Sequence, residues 1–255
     1  MTQVHTPAQA AVTFVGAGPG AAEHLTLGAL RALQEARVVI HDRLVGAEVL
    51  ALIPAHVTLV DVGKEGFGPS VTQNQINASL VAHAMSGPRV VRLKGGDCGI
   101  FGRLDEEMAA LEAAGLSFRI LPGLTSASVA AASIGQSLTR RGRNASLRIV
   151  TGHDMEGFAE QDWRGMARPG EVAAIYMGKK SARFIQGRLM MHGASGATDV
   201  TIVENVSRPE QRILGTTLAA LPEAVAGCSG PAVILFGLAP RAARSSVAVL
   251  KEVQA

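Results

Sequence analysis

The sequence predicts an α/β fold with mostly parallel strands. Short apolar runs rich in β-branched residues alternate along the chain with amphipathic stretches of helical length. Such alternation is typical of α/β proteins, and continuous apolar runs indicate strands that are covered on both faces. The chain has 255 residues, of which 47% are hydrophobic, so it can build one large domain or two small ones.

Nine strands are predicted, in two sets along the chain. The first set comprises Val12–Val15, Val38–His41, Val57–Val60, Val90–Leu93 and Phe118–Leu121. The second set comprises Leu147–Val150, Val172–Tyr176, Val200–Val203 and Ala232–Phe236. Each run is mostly apolar and of ordinary strand length. The stretch Ser245–Val253 is a candidate for one more strand.

Helices are predicted between these strands. The six segments are Leu27–Glu35, Gln73–Met85, Asp105–Ala114, Ser126–Ile134, Ala182–His192 and Thr217–Ala226. The first of them follows Thr26, whose hydroxyl is a favourable N-cap.

A Pro-Gly turn at Pro122 and Gly123 separates the two sets of strands into near-equal halves. We interpret it as a linker between an N-terminal α/β domain, residues 1–121, and a C-terminal α/β domain, residues 122–255. The alternative is a single larger sheet in which this turn is one loop.

Composition excludes several classes of protein. The two cysteines, Cys98 and Cys228, cannot form a disulfide framework, and no histidine has metal-ligand spacing, so we expect no metal. No signal peptide is visible at the N-terminus, and no apolar run approaches the ~18 residues that span a bilayer. We therefore expect a cytoplasmic protein that binds no membrane. The net charge of +3 and the 4% aromatic content favour an anionic small molecule over nucleic acid.

The first glycine loop follows the first predicted strand. Gly16, Gly18 and Ala21 match the dinucleotide fingerprint, and Asp42 lies some twenty residues further on, so an NAD-binding oxidoreductase is one interpretation. That fingerprint needs a helix that begins within the glycines. Here Thr26 is the first good N-cap, so the segment is predicted to be a loop.

The second glycine loop, Lys94 to Gly102, follows the fourth predicted strand. Two such loops at strand ends indicate one ligand at the carboxyl edge of a sheet. Gly95 and Gly96 allow close approach of backbone, and Asp97 offers a carboxylate for an amine or for sugar hydroxyls. These features fit a nucleoside that carries an amino acid.

Taken together, motifs from about residue 12 to residue 237 resemble those of the tetrapyrrole methylase family. The matching segments are Gly16–Gly20, His41–Val45, Val62–Lys64, Arg92–Asp97, Phe101–Arg103, Pro122–Ser126, Thr151–His153, Tyr176–Gly178, Val203–Asn205, Arg208–Arg212 and Gly230–Ala232. The chain departs from the family pattern at Cys98, Leu104, Val206 and Gln136–Arg141.

The resemblance implies two α/β domains with an active-site cleft between them, a homodimer, and S-adenosyl-L-methionine as methyl donor, with S-adenosyl-L-homocysteine as product. It also implies two successive C-methylations of uroporphyrinogen III to precorrin-2, in sirohaem or cobalamin biosynthesis. The alternatives are a sister methylase acting on a later precorrin intermediate, the NAD-binding oxidoreductase, and a donor-binding protein without catalysis.

The resemblance further implies the site residues. The donor contacts are Pro19, Gly95, Gly96, Asp97, Ile100, Thr125, Ser126, Met177, Val206 and Ala232. Asp42 and Lys64 occupy the positions of the family's proposed proton acceptor and donor, and the loop Gly66–Pro69 beside Lys64 is a candidate lid. On residue type alone, Asp42 has the alternative of capping a loop.

Arginine side chains are the candidate ligands for the carboxylates of a tetrapyrrole substrate. A guanidinium binds a carboxylate through two parallel hydrogen bonds, which an ammonium does not. The candidates are Arg43, Arg92, Arg103, Arg140 and Arg141. The alternative for such a basic run is a solvated surface.

Overall fold

The computed structural model describes residues 10–63, 71–154 and 157–241. These residues form two compact units. The first unit contains the described residues up to Val129 together with Asn205–Gln211, and the second contains Ala130–Glu204 and the described residues from Arg212 onward. The predicted strand at Ser245–Val253 lies outside the described residues. The domain boundary after residue 121 stays a prediction.

The first unit is built around a five-stranded sheet of order β3-β2-β4-β1-β5. Its strands are β1 Val12–Gly16, β2 Val38–His41, β3 Thr58–Asp61, β4 Val90–Lys94 and β5 Phe118–Leu121. Its helices are α1 Leu27–Gln34, α2 Ala47–Leu50, α3 Gln73–Met85 and α4 Leu104–Ala113, and α5 Ser126–Ser133 continues past the division between the units.

Every strand pair in this sheet is parallel. Strands β1, β2 and β4 are buried along their whole length, and β4 buries the charged side chains of Arg92 and Lys94 among its apolar residues. The α/β fold class is thereby confirmed. The register pairs Gly16 with Lys94 and His41 with Leu93, so the loops that follow β1, β2 and β4 leave the sheet at one edge.

The second unit contains a five-stranded sheet of order β6-β7-β10-β8-β9. Its strands are β6 Arg148–Thr151, β7 Ala173–Tyr176, β8 Asp199–Glu204, β9 Arg212–Thr217 and β10 Ala232–Phe236. Its helices are α6 Trp163–Met166, α7 Ala182–Met191 and α8 Leu221–Ala226.

The second sheet is mixed, so the expectation of mostly parallel pairing is wrong there. Strand β6 pairs with β7 in parallel, whereas β10 runs antiparallel to β7 and β8, and β8 runs antiparallel to β9. A buried antiparallel strand carries the same continuous apolar run as a buried parallel one, so the sequence does not distinguish them. Strand β10, for example, buries Val233 to Phe236 almost completely.

All nine predicted strands form, with ends shifted by at most one residue, and all six predicted helices form. Strand β9 was missed because its residues alternate irregularly between exposed and half-buried positions. Helix α8 begins at Leu221 rather than Thr217 because Thr217 ends β9. Helices α2 and α6 have four residues each and are too short to show a helical period.

No helix within the described residues is long and apolar enough to cross a membrane.

Candidate active site

Three glycine-containing loops meet at the carboxyl edge of the first sheet. Gly18 and Gly96 exchange two backbone hydrogen bonds, with N–O distances of 3.1 and 2.8 Å, which tie the loop after β1 to the loop after β4. The loop after β5 is equally close, because a Cβ on Gly16 would overlap the backbone of Gly123. Glycine at these positions thus allows three backbones to pack together.

Asp97 fastens two of these loops. Its Oδ1 accepts a hydrogen bond from the amide of Gly99 at 2.9 Å, and its Oδ2 accepts one from the amide of Gly123 at 2.9 Å. Each carboxylate oxygen has two lone pairs, so this bracing leaves acceptor capacity for a ligand. The predicted ligand contact by Asp97 therefore stays a prediction, alongside a structural role that sequence reasoning did not anticipate.

Gly96 differs from Gly16 because, among the described residues, the space beside its α-carbon is open. Within that part of the chain, a Cβ built on Gly96 would meet only the Ser126 hydroxyl, at 3.9 Å. The residue has a φ of +73°, which L-residues rarely adopt. Backbone that is held rigidly and left open in this way fits a ligand that approaches closely, as a nucleoside does.

The remaining predicted donor contacts of the first unit lie in the same loops. Pro19 is buried in the loop after β1, Ile100 is half-buried in the loop after β4, and Thr125 and Ser126 lie where α5 begins.

The segment Asn205–Gln211 packs against the first glycine loop. The Ser207 hydroxyl accepts a hydrogen bond from the amide of Ala21 at 3.0 Å, and the Arg208 guanidinium donates one to the carbonyl of Leu44 at 2.7 Å. Val206, a predicted donor contact, is 6% exposed and lies between two left-handed residues. Val206, where the chain departs from the family pattern, is thus buried in a turn formed by its own neighbours.

The loop after β2 begins with Asp42, whose side chain is 31% exposed. The amide of Asp42 donates a hydrogen bond to the carbonyl of Leu93 at 3.2 Å. The loop after β2 also packs against the loop after β4, because a Cβ built on Gly95 of the second loop would lie 3.0 Å from the Cβ of Leu44 in the first. The carboxylate predicted to take the proton therefore lies beside the predicted donor loop.

The carboxylate of Asp42 is paired with Arg92 at an Nη2–Oδ1 distance of 2.6 Å. Arg92 is 1% exposed and also binds Glu107 at 2.9 Å. Burial lowers the pKa of Arg92, but the two carboxylates outweigh this and raise it above its ordinary value, so the guanidinium stays charged. The prediction that Arg92 binds substrate directly is therefore corrected: its guanidinium is enclosed and already occupied.

Two other arginines of the first unit remain accessible. Arg43 is exposed in the loop after β2. Arg103 is half-exposed and left-handed at the start of α4, and it binds Glu106 through two N–O contacts of 2.7 Å. The hydrogen bond from Arg103 lowers the pKa of Glu106, which keeps this acid ionised.

In the second unit, Arg140 and Arg141 project from a tight turn that Asn144 closes. The Asn144 side chain accepts from the amide of Arg140 at 3.1 Å and donates to the carbonyls of Leu138 and Ser146 at 3.0 and 2.7 Å. Arg140 and Arg141 are exposed, whereas the guanidinium of Arg143 binds the carbonyl of Ser137 within the turn. The turn therefore presents the two predicted arginines together.

The two donor contacts predicted in the second unit lie at one edge of its sheet. Met177 follows β7, has a φ of 52° and is 51% exposed. Because β10 runs antiparallel to β7 and β8, its first residue, Ala232, pairs with Glu204 at the end of β8. The ends of β7 and β8 and the start of β10 are thus brought together.

Side chains from β8, from β9 and from the turn after β7 hold the loop that precedes Ala232. Glu204 is 1% exposed and accepts a hydrogen bond from the amide of Gly230 at 2.5 Å. The Lys179 ammonium donates to the carbonyls of Cys228 and Gly230, and Arg212 binds both Glu204 and the carbonyl of Gly227. This network fixes backbone next to a predicted donor contact, and sequence reasoning did not single it out.

Lys64 and the candidate lid Gly66–Pro69 lie outside the described residues.

The dinucleotide interpretation is not supported by the first glycine loop. Helix α1 begins at Leu27, well after the glycines, and the Thr26 hydroxyl caps this helix by accepting a hydrogen bond from the amide of Ala29 at 3.1 Å.

A testable consequence concerns Cys98, which is fully buried where the chain departs from the family pattern. Burial raises its pKa to about 12, so almost no thiolate exists at pH 8. We expect iodoacetamide to modify the half-buried Cys228 well before Cys98 in the folded protein, and both equally in denaturant. Peptide mass spectrometry measures this, with C228S as the control that isolates Cys98. Equal rates in the folded protein would contradict the burial of Cys98.

A comparison with models of known protein families identifies the family of this chain. The model for Tetrapyrrole (Corrin/Porphyrin) Methylases matches residues 11–222. The chain belongs to the tetrapyrrole methylase family. This membership confirms the resemblance on which the site residues were assigned.

Individual members of the family are similar over most of this chain. A uroporphyrinogen-III C-methyltransferase of Paracoccus denitrificans is 47% identical over 227 residues, which cover 88% of this chain and 79% of that protein. Siroheme synthase 3 of Aeromonas hydrophila is 44% identical over 226 residues, which cover 89% of this chain and 48% of that protein. The chain thus spans about half the length of the siroheme synthases it matches.

A solved structure shares the fold. The uroporphyrin-III C-methyl transferase of Thermus thermophilus, complexed with S-adenyl homocysteine, is 37% identical with a TM-score of 0.76, over 89% of this chain and 96% of that one.

Proposed function

We propose that this tetrapyrrole methylase is an S-adenosylmethionine-dependent uroporphyrinogen-III C-methyltransferase that forms precorrin-2 by two successive methylations. The observation that carries the proposal is the placement of Asp42 beside the Gly95–Asp97 loop, at one edge of the first sheet. The similarity to enzymes with this activity, one of them bound to the demethylated donor, supports it.

The glycine loops would hold the donor. S-adenosylmethionine supplies a methyl group that is already activated on a sulfonium. The open backbone at Gly96 and the carboxylate of Asp97 fit its nucleoside and amino-acid portions in the first unit. Met177 and Ala232 are the corresponding contacts proposed in the second unit. Rigid loops would align the methyl carbon of the donor with the pyrrole carbon that receives it. In favourable reactions such alignment lowers the activation free energy by about 7–11 kcal/mol.

Asp42 would act as the base. When a pyrrole carbon gains the methyl group, the ring carries a positive charge until its proton leaves. The carboxylate of Asp42 stabilises that charge and then accepts the proton, a role that typically contributes 10²–10⁴-fold in rate. Lys64 stays the proposed proton donor.

The accessible arginines would bind the carboxylates of the substrate. These are Arg43, Arg103, Arg140 and Arg141. We also propose that the chain forms a homodimer, is located in the cytoplasm and acts in sirohaem or cobalamin synthesis. These three proposals are based on the family and on the named relatives.

We expect Arg141→Ala to weaken substrate binding and to spare donor binding. A charged hydrogen bond contributes about 1.5–3 kcal/mol, so the KM for uroporphyrinogen III should rise about tenfold or more. Arg183→Ala is the matched control, since Arg183 is an exposed arginine of the same unit on α7. Steady-state kinetics on both variants measures the difference, and equal KM values would place Arg141 on a solvated surface.

Calorimetry tests the class of enzyme. We expect the purified chain to bind S-adenosylhomocysteine and to show no heat of binding with NAD. Binding of NAD with no response to S-adenosylhomocysteine would refute the proposed function.

A further inference from the structure

Arg92 lies at the centre of a charged cluster formed by Asp42, Arg92, Lys94 and Glu107, which we call the Arg92 cluster. We propose that Arg92, anchored by Glu107, is a positioning residue that holds the carboxylate of Asp42 in place for the reaction. The inference rests on the proposed function, in which Asp42 is the base.

The guanidinium of Arg92 is fixed from several directions. Its Nη2 contacts Asp42 Oδ1 at 2.6 Å and Glu107 Oε1 at 2.9 Å, and its Nε donates to the same Glu107 oxygen at 3.2 Å. Its Nη1 donates to the carbonyls of Ile40 and Leu93 at 3.4 and 3.2 Å. A planar guanidinium bound on all sides cannot turn, so the atom that contacts Asp42 has a defined place.

Glu107 anchors this arrangement from α4. Arg92 and Lys94 are two residues apart on β4 and therefore face the same side of the sheet. Glu107 Oε1 accepts from both, with Lys94 Nζ at 2.8 Å. The other oxygen, Oε2, is buried and has no hydrogen-bond partner among the described residues.

Stability alone does not account for the Arg92 cluster. Buried ion pairs are weak contributors to stability, and apolar side chains of similar size often replace them without loss. An unpartnered buried carboxylate oxygen carries a further cost. The side chains of Arg92, Lys94 and Glu107 are 1–4% exposed, whereas that of Asp42 is 31% exposed. Three enclosed charges thus support one accessible carboxylate.

The cluster also suits a base that changes charge during the reaction. Asp42 and Glu107 together raise the pKa of Arg92 against the effect of burial. When Asp42 accepts a proton, Arg92 keeps its pairing with Glu107 and stays in place. Arg92 therefore holds Asp42 before and after proton transfer and is not itself the proton source.

The test replaces the three enclosed charges together by apolar side chains, as R92M/K94M/E107L. Because no buried charge is left unpaired, we expect an unchanged or higher Tm and a Kd for S-adenosylhomocysteine within about twofold of wild type. The kcat should fall about 10- to 100-fold, because a misplaced catalytic group loses alignment. A folded triple variant with wild-type kcat would overturn the proposal.

A combination with Asp42→Asn separates positioning from a structural role. If Arg92 acts through Asp42, adding the triple replacement to Asp42→Asn causes no further loss of kcat. If the cluster acts independently of Asp42, the two losses multiply, and the proposal is wrong.

A second readout does not depend on turnover. In wild type, ¹⁵N NMR should show the Arg92 Nη protons as separate, slowly exchanging signals. K94M/E107L, which removes one buried cation together with Glu107 and leaves Arg92 paired with Asp42, should keep the fold and broaden or merge those signals. Signals that are unchanged in a folded K94M/E107L variant would refute the anchoring by Glu107. A wild-type chain that fails to methylate uroporphyrinogen III would instead refute the proposed function, and the NMR result would still decide the anchoring.

Discussion

Asp42→Asn should reduce kcat by about 10²–10⁴-fold while the Kd for S-adenosylhomocysteine barely changes. Asparagine keeps the size of the side chain and can still accept the hydrogen bond from Arg92 Nη2. It removes the negative charge and the ability to take a proton. The loss should therefore appear in the rate of the chemical step, which single-turnover kinetics at saturating donor and substrate measures.

A neighbouring carboxylate provides the control for this prediction. Asp61 ends β3, pairs in register with His41, and its Oδ1 caps a turn by accepting from the amide of Gly63 at 2.7 Å. Asp61→Asn thus removes a carboxylate that caps a loop at the same edge of the same sheet, and its kcat should stay near that of wild type. If Asp42→Asn lost donor affinity and kept the saturated rate, Asp42 would be a donor ligand and not the base.

Gly96→Ala should weaken binding of S-adenosylhomocysteine about tenfold to a hundredfold. The new methyl group would enter the open space beside Ser126, where the nucleoside is proposed to lie. Filling a well-packed site with an extra methyl group typically costs about 1–3 kcal/mol. Alanine is the informative choice here, because a β-branched residue at a φ of +73° would strain the backbone severely.

Gly115→Ala is a closely matched control. Gly115 lies in the same unit with a φ of +68°, and a Cβ there would meet no atom of the described residues within 4 Å. Both variants therefore carry a similar cost of left-handed backbone, about 1–2 kcal/mol, which thermal unfolding measures. Calorimetry should find the loss of donor affinity in Gly96→Ala alone. Equal affinities in the two variants would place the donor away from Gly96.

Much of the fold followed from local sequence. The apolar runs located all nine predicted strands, and Thr26 marked the start of α1 because an N-cap acts within a few residues of itself. The direction of pairing in the second sheet was not predictable, since burial on both faces imposes the same apolar pattern in either direction.

The candidate site was only partly visible in the sequence. Glycines and polar residues at strand ends indicated the two loops and Asp42. The role of Glu107 was hidden, because Asp105, Glu106 and Glu107 form one acidic run and only packing decides which side chain faces the sheet. A signal did exist: Arg92 and Lys94 on a buried strand require a buried anion.

Long-range contacts were also beyond the sequence. The segment Asn205–Gln211 belongs to the first unit although it follows β8 of the second, and its contacts with Ala21 and Leu44 join residues more than 160 positions apart. No local pattern encodes such a contact. The close approach of Gly16 and Gly123 was missed for the same reason.

The proposed function is tested most directly by anaerobic turnover of uroporphyrinogen III by the purified chain with S-adenosylmethionine, followed by mass spectrometry of the tetrapyrrole. We expect a singly methylated intermediate and then a dimethylated product, with one S-adenosylhomocysteine released for each methyl group transferred. Donor binding without any methylation of uroporphyrinogen III, or methylation of a later precorrin intermediate instead, would contradict it.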